Sequence, residues 1–265
     1  MFSSSICFRG LSGSVAPYVF EKKRVEQGAP VIEGLPEVGL VGTITAAYIA
    51  SSLGGDAVGY IEIPDLPPIV TVFESRILEP CRLYSVSVEQ RKLLLLYSDV
   101  PVPPRSMWSI ANSVTEIAST IKSPVISVGG IPEPDRLDIE KPKVYVLSND
   151  EELVRMALAT DYVQRFENGY LTGVKAAILK SAAKRDVRVL LALVQSHMNY
   201  PDPGAAAEVV TFLNKLLGMS IPVAPLLEQA EQLKMQMRDL MRRTSTNLSK
   251  MPIGLQLESP PGYIK

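Results

Sequence analysis

One histidine and two cysteines are all that 265 residues contain of the side chains most used for metal binding and nucleophilic catalysis. His197 is the sole imidazole, and Cys7 and Cys81 are too isolated for a disulfide framework or a thiolate zinc site. Two scattered thiols suit a reducing compartment, so a cytoplasmic protein is predicted. The chain also lacks an excess of either charge, with 27 Lys plus Arg against 28 Asp plus Glu and a formal charge of −1. That balance supplies no broad field for nucleic-acid phosphates or anionic lipid, and neither is an expected partner. No apolar run approaches the roughly 18 residues of a membrane span; the longest, at 93–97 and 187–194, have the length of buried strands. Residues 1–20 hold no apolar core of signal-peptide length, and the basic cluster at 21–24 follows the weakly apolar stretch instead of preceding it, so secretion is not expected.

What is present is the composition of a folded domain, 46% hydrophobic and 21% charged. Short runs rich in Val, Ile, Leu and Tyr at 31–33, 58–63, 69–73, 83–88, 93–96, 125–128, 144–147 and 187–194 predict strands. Helical patterns at 40–53, 104–121, 150–159, 170–183 and 203–217 separate several of them. Strand and helix alternate, and a continuous run such as Leu93-Leu94-Leu95-Leu96 suits a strand covered on both faces. The predicted class is therefore α/β, a three-layer α/β/α sandwich with a mixed, largely parallel sheet. No helix intervenes between 59 and 88, which predicts an antiparallel or mixed excursion of the sheet there. The 21 prolines cluster in loops. Beyond Pro225 the pattern becomes one polar amphipathic helix and then a segment without period. The expected division is a body at 1–222, a C-terminal helix at 223–250 packed on the body or on a neighbouring subunit, and a flexible tail at 251–265.

The most distinctive local pattern is IEGLPEVGLVGTITAAYI, where a predicted strand ends at Glu33, glycines stand at Gly34, Gly39 and Gly42, and an apolar helix follows. A strand, glycine turn and helix can aim backbone N–H groups at phosphate. The spacing is neither GxGxxG nor a P-loop, and no Lys-Ser/Thr follows Gly42, so a tight turn that lets helix and sheet approach closely is the plainer account. His197, in QSHMNYPDPG, lies between a predicted strand and helix, a position α/β enzymes use for catalytic groups. No GxSxG serine accompanies it, and a loop histidine held by polar neighbours also explains it. Asp202 reads as the N-cap of the next helix, with Pro203 at its first position. Glu33, Glu37, Asp65 and Glu74 could converge as hard oxygen ligands, but their spacing specifies no geometry and solvated loop carboxylates are the default. No catalytic, cofactor or metal site is predicted. The alternative is a small-molecule-binding or hydrolase/phosphorylase-like enzyme using the Gly34 to Gly42 turn with Glu37 or His197.

In the last helix Leu226, Ala230, Leu233, Met237 and Leu240 are spaced 4, 3, 4, 3, a packing seam for the body or for another subunit. The end of the chain places Tyr263, Ile264 and Lys265 after two prolines and a glycine, an aromatic anchor beside a free carboxylate, which reads either as a docking peptide or as a frayed terminus.

Three stretches, PVIEGLPEVGLVGTITAAYI at 30–49, FENGYLTGVKAAIL at 166–179 and YPDPGAAAEVVTFLNKLLGM at 200–219, together with the LLEQAEQLKMQMRDL helix, resemble the proteasome assembly chaperone family, in particular its archaeal members. The resemblance runs from about residue 30 to about residue 245. It implies a phosphorylase-like α/β/α body, homo-oligomers, and non-catalytic, ATP-independent binding to proteasome α subunits during core-particle assembly, alone or with a paralogous chaperone. Relatives that engage the α ring often end in a hydrophobic residue, a penultimate tyrosine and any residue. This chain ends Gly-Tyr-Ile-Lys, so Tyr263 stands third from the end and Gly262 replaces the hydrophobic residue. A one-residue shift moves the carboxylate relative to the ring by about 3.3 to 3.6 Å.

Overall fold

The computed structural model describes the backbone of residues 6–9, 16–21, 24–89 and 91–248, and the side chains of all of these except 6–9 and 237–248. Its strands are β1 (Ile6–Arg9), β2 (Tyr18–Glu21), β3 (Val31–Gly34), β4 (Asp56–Ile61), β5 (Thr71–Phe73), β6 (Arg76–Leu78), β7 (Cys81–Val88), β8 (Arg91–Ser98), β9 (Val125–Pro132), β10 (Val144–Ser148), β11 (Gln164–Arg165) and β12 (Val189–Ser196). The helices are α1 (Val41–Ser52), α2 (Met107–Thr120), α3 (Glu151–Leu158), α4 (Gly173–Ala183), α5 (Pro203–Leu217) and α6 (Ala224–Leu248).

Ten strands form one sheet in the order β1-β2-β4-β7-β8-β3-β9-β12-β10-β11. At its centre β8, β3, β9 and β12 run parallel, with Val31 opposite Leu94 on one side and Val125 on the other, and Val125 opposite Val189. Antiparallel neighbours extend it both ways, β7, β4, β2 and β1 beyond β8, and β10 beyond β12. Helices cover the parallel strands on both faces, so those strands have no solvent side, and their sequences are apolar without alternation. Leu94 and Leu96 point into one core with Ile110, Ile117 and Ile178 of α2 and α4. Leu95 points into the other with Ile49, Val209 and Phe212 of α1 and α5. The predicted sandwich is thus the observed architecture.

The differences from the sequence reading are local. The predicted 69–73 strand stands outside the main sheet, paired only with β6 in a separate hairpin. Strands β1 and β2, which the periodicity passes over, extend the antiparallel wing through β4. Helix α4 starts at Gly173 instead of 170, because Thr172 is extended and Gly173 has φ +74°, a left-handed conformation that suits glycine.

Helix α6 rests on the body by the start of its seam. Leu226 is only 1% exposed, and a Cβ on Gly204 at the start of α5 would lie 3.4 Å from that of Ala230. The neighbouring Leu227 is 44% exposed. Truncating a buried leucine costs about 2 to 5 kcal/mol, whereas an exposed one costs within about 0.5 kcal/mol. Urea unfolding of Leu226→Ala and Leu227→Ala should therefore differ by at least ~2 kcal/mol, and equal midpoints would show that α6 does not dock through this seam.

Candidate functional site

Glu33 and Ser127 are opposed residues on neighbouring parallel strands, and both point toward α4. The Ser127 hydroxyl donates to Glu33 Oε2, and the Leu35 backbone N–H donates to Glu33 Oε1 at 2.7 Å. Lys175, in the first turn of α4, reaches down to this pair with its ammonium 3.5 Å from Glu33 Oε2 and 3.3 Å from Ser127 Oγ. The same ammonium lies 3.2 Å from Glu37 Oε2 in the glycine turn. Glu33 and Ser127 are wholly buried and Lys175 is 3% exposed. Its side chain crosses Gly129, where a Cβ would come within 2.2 Å of Lys175 Cε.

Burial favours the neutral amine, and a cation in the first turn of a helix opposes the helix dipole. Glu33 and Glu37 outweigh both effects and hold the Lys175 pKa above the ordinary lysine range. The ammonium is thereby committed to two carboxylates and a hydroxyl. The nearby Cys81 thiol is fully buried, and burial first, with Glu33 second, pushes its pKa up to about 12, so it is not a thiolate nucleophile.

The convergence of acids weighed against solvated loop carboxylates occurs in part. Glu33 and Glu37 meet, but on a lysine; Asp65 accepts a hydrogen bond from Ser106 Oγ at 2.5 Å, and Glu74 is exposed in the β5–β6 turn. Among the described residues no group of three or more His, Cys, Asp or Glu is placed to hold a metal. The glycine turn is filled by its own backbone. A Cβ on Gly34 would lie 2.1 Å from the Gly42 carbonyl oxygen, so these glycines let the first turn of α1 rest on β3. Gly39 has φ +64°, and a Cβ there would meet Ser196 Oγ at 1.9 Å.

Asp202 is the predicted N-cap, accepting from the Ala205 N–H at 2.9 Å, and it does more. Arg136 grips it through Nε at 2.8 Å and Nη2 at 3.1 Å, and the His197 N–H donates to Oδ2 at 3.1 Å. Arg136 spends a further donor on the Ile139 carbonyl at 2.6 Å. These residues border a cleft of about 420 Å³ against Leu227, Ala230 and Leu233 of α6, but the guanidinium at its floor is already committed. Burial, opposed by Asp202 and assisted by Arg136, lowers the His197 pKa below the ordinary range, which favours a neutral ring at pH 7. The sequence reading passes over both Lys175 and Arg136. The available signal at Lys175 was a lone charge between Val174 and Ala176 in an otherwise apolar helix turn. The seam side chains Met237 and Leu240 and the tail residues Tyr263, Ile264 and Lys265 lie outside the described residues.

The backbone joins the two clusters, with the Asp202 N–H donating to the Gly39 carbonyl at 2.8 Å. One assembly thus draws on all three stretches that carried the family resemblance: Glu33 and Glu37 from the first, Lys175 from the second, Asp202 from the third. Residues 31–241 match the PAC2 family. The chain belongs to that family. Pyrococcus furiosus PbaA, an archaeal homolog of proteasome-assembly chaperone, is 29% identical with a TM-score of 0.73, the match covering 86% of this chain and 93% of PbaA. Pyrococcus furiosus PbaB, an archaeal proteasome activator, has the same fold at 21% identity and a TM-score of 0.74, covering 86% of this chain and 99% of PbaB. An uncharacterized protein of Methanocaldococcus jannaschii is 26% identical over 233 residues, 87% of this chain and 93% of that protein.

Breaking a buried ion cluster by removing one partner strands the remaining charge and costs about 3 to 5 kcal/mol. Lys175→Met in this PAC2 protein should lose that much stability by urea unfolding, and adding Glu33→Gln should recover part of it; additive losses would show that the groups do not interact. The pH dependence follows from the raised pKa. The Lys175 contribution is complete below the ordinary lysine value of about 10.4 and fades as pH rises through the higher folded value. The stability gap between wild type and Lys175→Met should therefore stay constant from pH 7 to about pH 10 and narrow above it.

Proposed function

We propose that this PAC2 protein is a non-catalytic, ATP-independent assembly chaperone that binds proteasome α subunits in the cytoplasm and promotes core-particle assembly. The observation that carries this reading is the likeness to PbaA, which extends over 86% of this chain and 93% of the relative. The chemistry of the site is in keeping with it. Ser127, Glu33 and Lys175 would be a plausible catalytic set in an open cleft, but here they are buried and bonded to one another, with no face left for a substrate. Among the described residues no helix is long and apolar enough to cross a membrane. The segment with Tyr263, Ile264 and Lys265 supplies a further contact in this reading, with the Tyr263 ring buried by an α subunit.

Mixing the full chain with purified proteasome α subunits at tens of micromolar should give a defined complex by native mass spectrometry, with no nucleotide present; absence of a complex overturns the reading. Loss of a buried tyrosine anchor costs about 2 kcal/mol, a roughly thirtyfold loss of affinity. Tyr263→Ala should weaken the complex by that factor while moving stability by no more than about 0.5 kcal/mol. Unchanged affinity would assign α-subunit binding to the body.

A further inference from the structure

The end of the sheet where the parallel strands finish carries an apolar surface that the buried clusters do not use. Strands β8, β3, β9 and β12 finish there, antiparallel β4 finishes and β7 and β10 begin there, and the segments between them form one row of loops. Nine of the thirteen large hydrophobic side chains exposed among the described residues lie on the loops at this end, a concentration that scattered surface residues do not show. Val72, Phe73 and Ile77 belong to the β5–β6 hairpin, which connects β4 to β7 and is tied at its base where Thr71 Oγ1 donates to Asp99. Leu40 closes the glycine turn after β3, Met198 and Tyr200 follow β12, and Tyr170 precedes α4. From β4 to β12 the edge spans five strand spacings, roughly 24 Å, the breadth of a protein contact and not of a small ligand.

This surface is held in place from beneath. The Glu37 side chain is fixed by Lys175, and its carbonyl accepts the Leu40 N–H at 3.0 Å. Leu40 has φ +50°, a left-handed conformation unfavourable for leucine, and the hairpin turn residues Glu74 and Ser75 have φ +48° and +61°. Asp202 receives the His197 N–H and so anchors both ends of the loop that carries Met198 and Tyr200. A strained backbone that presents an apolar side chain to water serves no packing purpose inside the monomer, whereas a surface ordered before binding loses little entropy when a partner covers it.

Charge selects the partner. Leaving aside Asp65 and Asp99, which are bonded to Ser106 and to Arg82, seven exposed carboxylates stand on these loops, including Glu74 in the hairpin turn and Glu79 after it. Four exposed cations face them, Arg76, Arg105, Lys141 and Lys143. The excess repels nucleic acid and anionic lipid, and a second copy laid edge to edge would oppose like charges. What complements the edge is a protein surface apolar at its centre and basic at its rim. We propose that this edge is where the body grips an α subunit, and that the α-subunit face it meets is apolar with lysine or arginine around it. The placement rests on the assembly-chaperone reading and adds to it the part of the body that makes contact.

Isothermal titration of the full chain with purified α subunits tests the placement. Val72→Ser with Ile77→Ser, and separately Met198→Ser with Tyr200→Ser, should each weaken the complex at least about tenfold with an unchanged thermal melt, since all four side chains are exposed. Glu74→Lys with Glu79→Lys should weaken it too and remove the loss of affinity that added salt causes in the wild type. Glu26→Lys with Glu89→Lys makes the same charge change at the opposite end of the sheet and should leave affinity as it was. If a serine pair lowers the melt, the two charge reversals decide alone. Wild-type affinity in a folded serine pair or in the Glu74 and Glu79 reversal, with the complex still formed, overturns the placement and leaves the chaperone reading standing. Equal losses from the two charge reversals would reduce the effect to net charge and overturn it as well. Absence of any wild-type complex overturns both.

Discussion

A single buried ammonium group, that of Lys175, holds the helical layer to the sheet at the point where the glycine turn leaves β3. The dependence can be followed outward. Lys175 and Ser127 fix Glu33, and Glu33 in turn receives the Leu35 N–H, which sets the first bend after the strand. Lys175 also fixes Glu37, and the turn beyond it presents the Gly39 carbonyl to the Asp202 N–H. Asp202 caps α5 and holds Arg136, and α5 is the surface on which Leu226 and Ala230 of α6 rest. A buried charge is a poor source of net stability but an effective source of uniqueness, because every alternative arrangement leaves it unpaired.

The placement of polar and apolar groups at this edge inverts the usual surface pattern. Its lysine, arginine and several carboxylates are turned inward and bonded to one another, whereas the hairpin projecting from the same edge shows valine, isoleucine and phenylalanine to solvent. Enzymes of α/β type commonly leave polar groups open at the ends of their parallel strands. Here the inward charges make a rigid platform, and the groups left outside are of the kind that recognise another protein surface.

The layered architecture was legible in the sequence because its signal is additive. Leu93 to Leu96 and the 187–194 run each repeat the message of burial on two faces, and tertiary context had only to agree. The turn glycines were legible as packing residues because the lysine of a P-loop is missing after Gly42. The site itself was harder. Lys175 stands 142 positions from Glu33, and no periodic signal links it to Glu33 or Glu37; a lysine beside Val174 reads as a solvated charge until β9 is placed beneath it. Strand β2 escaped notice because its four residues, Tyr18 to Glu21, are too few to show alternation. The β5–β6 hairpin was misplaced for the opposite reason: its apolar residues carry a strand signal equal to that of the core, and composition does not distinguish a strand that faces the core from one that faces solvent.

The insertion of β3 between β8 and β9 bears on how the chain is made. Strand β3 ends at Gly34, yet its neighbours in the sheet are Arg91–Ser98 and Val125–Pro132. On a ribosome adding roughly 5 to 20 residues per second, an apolar strand and the glycine turn behind it emerge several seconds before either neighbour exists. Lys175, which neutralises Glu33, arrives later still. Until then the nascent segment has an unpaired carboxylate amid its valine and isoleucine, and that charge opposes premature pairing with other apolar strands. The carboxylate of Glu33, which Lys175 neutralises in the finished site, is the kind of charge that disfavours mispairing of an apolar strand while the chain is being made.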